Sequence, residues 1–183
     1  MEPELASFLA RHSPASEGRA LWGGGTIPLR ITGYLSDEEP PVEYVTSVRC
    51  VLLRDDMVLL QRDRDSTHIL PGGRREPGET LEETLGREVP EETGWTVLSP
   101  VLIGFLRYQH LGPKPEGWTY LYPDFLQAVY AARAGEYRPD AKLDDGYELE
   151  SSFLPVTGVQ SLQLTPGESL YLNAALDRLA PQP

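Results

Sequence analysis

The stretch Arg87–Trp95, REVPEETGW, carries three carboxylates within five positions: Glu88, Glu91 and Glu92. Acids three and four residues apart lie on one side of an α-helix. Grouped there, they suit the binding of a hard divalent cation such as Mg²⁺ or Mn²⁺, which prefers oxygen ligands. Pro90 stands among them. An interior proline removes a helical hydrogen bond at a cost of about 3 kcal/mol, so the acids converge only if the helix continues through it.

The flanking residues predict such a helix. Thr80-Leu81-Glu82-Glu83 fits a capping box, and Gly94 supplies a left-handed position for the C-terminal cap. Leu81, Leu85 and Val89 form one apolar stripe. At about 100° per residue, Glu92 projects almost over Leu81, Glu88 falls just to the other side, and Glu91 further round that flank. Ionised carboxylates at a core edge cost several kcal/mol each unless compensated. Arg87 offsets part of this through its i,i+4 relation to Glu91, and a divalent cation is the natural compensator for the rest. A solvated acidic helix face accounts for the spacing as well. Pro90 lies opposite the stripe, where solvent is expected, and the bond it forfeits is to the Gly86 carbonyl. A continuous but bent or locally loosened helix over Leu81 to about Thr93 is therefore expected, with Glu88, Glu91 and Glu92 still converging.

The rest of the chain must position that helix. Leu5, Phe8 and Leu9 form a short amphipathic pattern, followed by Gly23-Gly24-Gly25, the strand-like TIPLRITGYL and the acidic, proline-rich SDEEPP. A boundary near residue 42 divides this extension from the remainder. YVTSVRCVLLRD and MVLLQRD flank Asp55-Asp56 as a hairpin of buried strands. WTVLSPVLIGFLRYQHL reads as strand interrupted at Pro100, while Trp118, Tyr120 and Tyr122 alternate as if on one strand face. YELESSFLPV is a further strand, and Thr165, Pro166 and Glu168 start a terminal helix. The sum is an α+β domain.

Composition narrows the function. With 183 residues, 40% of them hydrophobic, the chain suits one domain with an appended element. A net charge of -12 and the lack of a Lys/Arg stripe disfavour nucleic acid and acidic membranes as partners. A small anionic substrate stays compatible, since a bound cation inverts the local charge. Cys50, the only cysteine, sits in the strand-like SVRCVLL and reads as buried and inert. The opening residues do not resemble a secretion signal, and no apolar run approaches the roughly 20 residues of a membrane span, so a cytoplasmic protein is expected.

GRREPGETLEETLGREVPEETGW, from Gly73 onward, resembles the signature of the Nudix hydrolases: Gly, five residues, Glu, seven residues, Arg-Glu, an aliphatic, any residue, Glu-Glu, any residue, Gly. Gly73, Glu79, Arg87, Glu88, Val89, Glu91, Glu92 and Gly94 fall in register, and the preceding LPGG and VLLQR are similar to the family as well. Three residues depart from it: Trp95 replaces an aliphatic, His68 stands where an aromatic is common, and Pro90 is unusual. The resemblance implies an α/β/α sandwich with a mixed sheet over residues 43–181, with residues 1–42 as an extension of the kind that serves as a dimer element in some members. It implies metal-dependent attack of water on a nucleoside diphosphate linked to another group, such as ADP-ribose, or on a nucleoside triphosphate. Glu88 and Glu92 would be the principal metal ligands, joined by Glu91 and the Gly72 carbonyl, with Arg87 orienting Glu88 and Glu79 bracing. Asp144, Asp145, Glu148 and Glu150 are candidates for an additional acid, Glu150 being favoured. Arg62 and His68 are candidate substrate contacts. Trp22 would line an interface, a pocket or a small local core. The alternative is a non-catalytic Nudix domain that senses a nucleotide.

Overall fold

The computed structural model describes residues 2–64, 66–143, 148–159 and 161–180. In chain order the elements are α1 (Pro3–Leu9), β1 (Ser16–Trp22), β2 (Ile27–Leu35), β3 (Val45–Arg54), β4 (Met57–Asp63), β5 (Thr67–His68), α2 (Leu81–Thr93), β6 (Trp95–His110), β7 (Asp124–Tyr137), β8 (Glu148–Pro155), α3 (Val156–Val159) and α4 (Pro166–Arg178). The strands form one 8-stranded mixed sheet in the order β1-β2-β6-β7-β3-β4-β5, with β8 also pairing β4. β3 and β7 are parallel, and the other pairs are antiparallel. This is the expected α+β mixed-sheet architecture.

Apolar residues cover both faces of the sheet. On one, Leu81, Leu85 and Val89 of α2 pack with Val48, Cys50 and Leu52 of β3 and with Leu5 and Phe8 of α1. On the other, Tyr171, Leu172 and Ala175 of α4 pack with Val51, Leu53 and Val129. Burial pushes the Cys50 thiol well above its ordinary pKa, so it is inert at neutral pH.

The first 42 residues are built into this sheet. β1 and β2 form a hairpin, and β2 pairs with β6 from Leu29↔His110 to Leu35↔Gly104. Tyr171 of α4 ties the junction: its hydroxyl donates to the Phe105 carbonyl at 2.7 Å and accepts from the Tyr34 N–H at 3.3 Å.

Two sequence expectations are corrected. Pro100 does not end a strand: β6 runs through it, absorbing the irregularity in register shifts between Leu98 and Val101 and a positive φ of 47° at Ser99. Trp118, Tyr120 and Tyr122 are not on a strand, because β7 begins only at Asp124. They belong to the loop joining β6 to β7, where Pro113, Pro115 and Pro123 remove backbone donors.

Candidate active site

A splayed pair of strands creates the site. β3 and β4 form the expected hairpin, but the pairs between them are Leu53↔Val58 and Arg54↔Met57 alone, while the other edge of β4 pairs β8 from Met57 to Asp63. The loop Leu70–Arg75 fills the gap beside β3. Cys50 N–H donates to the Pro71 carbonyl at 2.9 Å, Val48 N–H to Gly73 at 3.0 Å, and Arg75 N–H to the Thr46 carbonyl at 3.0 Å. Gly72 adopts φ +128°, and a Cβ there would lie 2.5 Å from the Val48 carbonyl oxygen. A Cβ on Gly73 would lie 2.0 Å from Glu88 Oε2. The two glycines therefore let the loop lie between a strand and a carboxylate.

Helix α2 carries the acids to that loop. Its capping box forms as the sequence predicts, with Thr80 and Glu83 exchanging hydrogen bonds, and Gly94 caps the other end at φ 78°. The helix is continuous through Pro90. Pro90 itself is buried rather than solvent-facing. The chain after β7 returns over this end of the helix, with Arg138 N–H donating to the Gly94 carbonyl and Leu143 N–H to the Glu91 carbonyl. Gly86, whose carbonyl lost its helical partner, is exposed as expected.

Arg87 binds more acids than its i,i+4 relation alone predicts. Its guanidinium donates to Glu79 through Nε at 2.7 Å and Nη2 at 2.9 Å, to Glu88 at 2.8 Å and to Glu91 at 3.2 Å. These bonds raise the pKa of Arg87, the Glu79 contact being the largest contribution. Hydrogen bonds from Arg87, then from the Glu76 N–H, lower the Glu79 carboxyl from 4.5 to about 2. Glu92 lies outside this cluster: its Oε2 accepts from Gly72 N–H at 2.7 Å and from Gln61 Nε2 at 3.3 Å.

Among the described residues no three His, Cys, Asp or Glu side chains converge closely enough to hold an ion as they stand. Glu91 is drawn to Arg87 and Glu92 to Gly72. The Gly72 carbonyl accepts a hydrogen bond from Arg49 Nη1. The donor set nevertheless fits a hard cation. Gln61 is 1% exposed, and among the described residues its Oε1 has no hydrogen-bond partner, although its amide nitrogen reaches Glu92. A buried acceptor without a donor, beside Glu92 and a helix that also presents Glu88, is what an oxygen-seeking ion satisfies.

These groups form one end of a cleft of ≈1210 Å³. His68 lines it, as do Asp63, Arg49 and Ser47. His68 Nδ1 accepts from Leu70 N–H at 3.3 Å, and Nε2 faces Asp63 at 3.4 Å. Burial, then the Arg49 charge, lowers the pKa of this imidazole. Trp118 and Tyr120 also line the cleft, with rings 5.4 Å apart. Arg62 and Glu150 do not. They pair with each other at 3.2 Å and are 53% and 62% exposed. Strand alternation is the cause: Gln61 and Asp63 face the cleft, so Arg62 between them faces away. Asp144, Asp145 and the side chain of Glu148 lie outside the described residues.

Three cleft residues, Gln61, Ser47 and Arg49, were missed in the sequence, and each carries a signal. Gln61 shares a strand face with the fully buried Leu59, and a polar residue at such a position calls for a partner. Ser47 and Arg49 alternate with the buried Val48 and Cys50.

The NUDIX domain model matches residues 43–173. The chain belongs to the Nudix hydrolase family. It is 42% identical over 125 residues to the uncharacterized Nudix hydrolase YvcI of Bacillus subtilis, covering 68% of this chain and 74% of that protein. A NUDIX hydrolase from Nitrosomonas europaea has a similar structure, with a TM-score of 0.55 at 24% identity over 73% of this chain and 90% of that one. So does the Bacillus subtilis pyrophosphohydrolase BsRppH, with a TM-score of 0.56 at 20% identity over 90% and 98% of the chains. The last two likenesses speak for the Nudix fold. As a Nudix hydrolase, the chain is an enzyme of phosphoric anhydrides. No helix among the described residues is long and apolar enough to cross a membrane.

Proposed function

We propose that this Nudix hydrolase cleaves the pyrophosphate of a nucleoside diphosphate linked to a second moiety, or of a nucleoside triphosphate, using Mg²⁺ or Mn²⁺. The observation that carries the proposal is the meeting of α2 with the Gly72–Gly73 loop, where Glu88, Glu92 and the unpartnered Gln61 Oε1 gather at one end of a long cleft. Glu88 and Glu92 would hold the metal, assisted by Glu91 and by the carbonyl of Gly72. When bound there, the metal would supply charge neutralisation and an acidified water. Arg87 fixes Glu88 and Glu91 in direction by hydrogen bonds. Arg49 and the His68 imidazole stand in the cleft to meet substrate oxygens, Arg49 by charge and His68 by hydrogen bond. Little covalent participation is asked of the protein, because phosphoryl substitution is governed by positioning and electrostatics.

The test is a panel of ADP-ribose, nucleotide sugars and nucleoside triphosphates with Mg²⁺ or Mn²⁺, read as released mononucleotide or phosphate. Turnover is expected for at least one compound and none with EDTA. Glu92→Gln, which keeps an acceptor for Gly72 N–H, should lower kcat on the order of 10²–10³-fold while leaving the melting temperature near wild type. Near-wild-type activity in that variant rejects the metal assignment. A folded protein that binds nucleotides and turns over none of the panel rejects the hydrolase reading.

A further inference from the structure

The β1–β2 hairpin precedes the segment that matches the NUDIX domain, yet it walls the cleft. Strand pairing lays residues across one face of the sheet in rows. One row runs Gly18–Ile31–Tyr108–Phe125 and the next Ser16–Gly33–Leu106–Gln127–Ser47. With strands about 4.8 Å apart, the floor from β3 to β1 extends roughly 19 Å away from the acids.

The hairpin keeps its end of this floor open. On β1 the cleft-lining Ser16, Gly18 and Ala20 are small, and a Cβ on Gly18 would meet nothing within 4 Å. At its tip Trp22, 38% exposed, leans over the floor with its ring 5.3 Å from Tyr108 and 5.8 Å from Phe125. Tyr108 and Phe125 are themselves stacked, 5.0 Å apart at 10°. Two polar side chains lie on the floor between the hairpin and the acids. Ser47 is 6% exposed, and its buried hydroxyl has no hydrogen-bond partner among the described residues. Gln127, its neighbour across the strands, is 5% exposed and lines the cleft. An aromatic wall beside an open slot suits a flat heteroaromatic ring.

We propose that the β1–β2 hairpin is the nucleobase wall of the cleft. The base lies over Gly18 and Ile31 against Trp22, at the end of the floor farthest from the acids. The proposal deepens the pyrophosphatase reading by assigning the end of the cleft that selects the nucleoside.

Binding to the intact chain tests it. AMP, GMP and UMP are titrated by calorimetry against ribose 5-phosphate, which has the phosphate and sugar but no base. Trp22→Ala removes the stacking wall. Gly18→Val fills the slot at an unstrained strand position, so its melting temperature should match or exceed wild type. Both variants are expected to weaken the best-bound nucleotide at least about tenfold and to change ribose 5-phosphate binding less than about twofold. Unchanged nucleotide binding in the folded Gly18→Val chain overturns the proposal, as does an equal loss for nucleotide and ribose 5-phosphate. If wild type turns over no pyrophosphate compound but Gly18→Val still loses nucleotide, the hydrolase reading fails and the base wall stands. A wild-type chain that neither binds nucleotides nor turns them over rejects both.

Discussion

Arg87 decides how the acids of α2 are arranged. A single guanidinium holds Glu79, Glu88 and Glu91, leaving Glu92 to the Gly72 N–H and Gln61. The arrangement has a pH signature. The Glu79 carboxyl is lowered from 4.5 to about 2, first by Arg87 and then by the Glu76 N–H. Its folded pKa is below its unfolded one, so its stabilisation is full above about 4.5 and is lost as pH falls from there through about 2. Melting temperatures across that window should fall less steeply for Arg87→Met than for wild type. Parallel profiles would show that Arg87 does not set the Glu79 titration. Gly73→Ala tests the neighbouring contact. The new Cβ would lie 2.0 Å from Glu88 Oε2, and a flexible carboxylate can swing aside. The fold should survive while the displaced acid lowers kcat/KM by on the order of 10²-fold. Wild-type turnover of the panel by that variant would mean that Glu88 works from another position.

At the scale of elements, local chemistry was legible and coverage was not. The limits of α2, both capping boxes and the left-handed Gly94 were read from residue types alone, because caps are set by a few neighbouring atoms. The placement of Pro90 shows the boundary of such reading. Helical geometry sets it opposite Leu81, but geometry does not tell what lies there, and the chain returning from β7 buries it. The same limit applied to Glu150, which pairs with the exposed Arg62 on the side of β4 that faces away from the cleft. Gln61 was readable in principle, since it interrupts an apolar strand face. Gly94 offers an element-scale test. It holds φ 78°, and a Cβ there would meet the Tyr137 ring at 2.7 Å. Gly94→Ala should cost about 1–2 kcal/mol, plus whatever the ring shift adds, measured as a lower urea midpoint with unchanged slope. No change in midpoint would mean that the cap is not what ends α2.

At the scale of the whole molecule, the question is whether residues 1–42 are an appendage or part of the fold. The SDEEPP stretch invited a boundary near residue 42, and the NUDIX match begins at residue 43. Packing argues for integration. Leu5, Phe8, Leu9, Leu29 and Tyr34 are all buried, and they face partners that belong to the Nudix domain. At ~1.5–3 kcal/mol for each buried side chain, their loss removes about 10 kcal/mol, which is comparable to the ~5–15 kcal/mol that stabilises a typical domain. It would also expose the edge of β6 that β2 now pairs, an open template for aggregation. A chain beginning at Val42 is therefore expected to be insoluble or to lack a cooperative urea transition, whereas the intact chain unfolds in one step. A soluble truncated chain with an undiminished midpoint would show instead that the hairpin is a detachable wall, adding selectivity to a domain already complete without it.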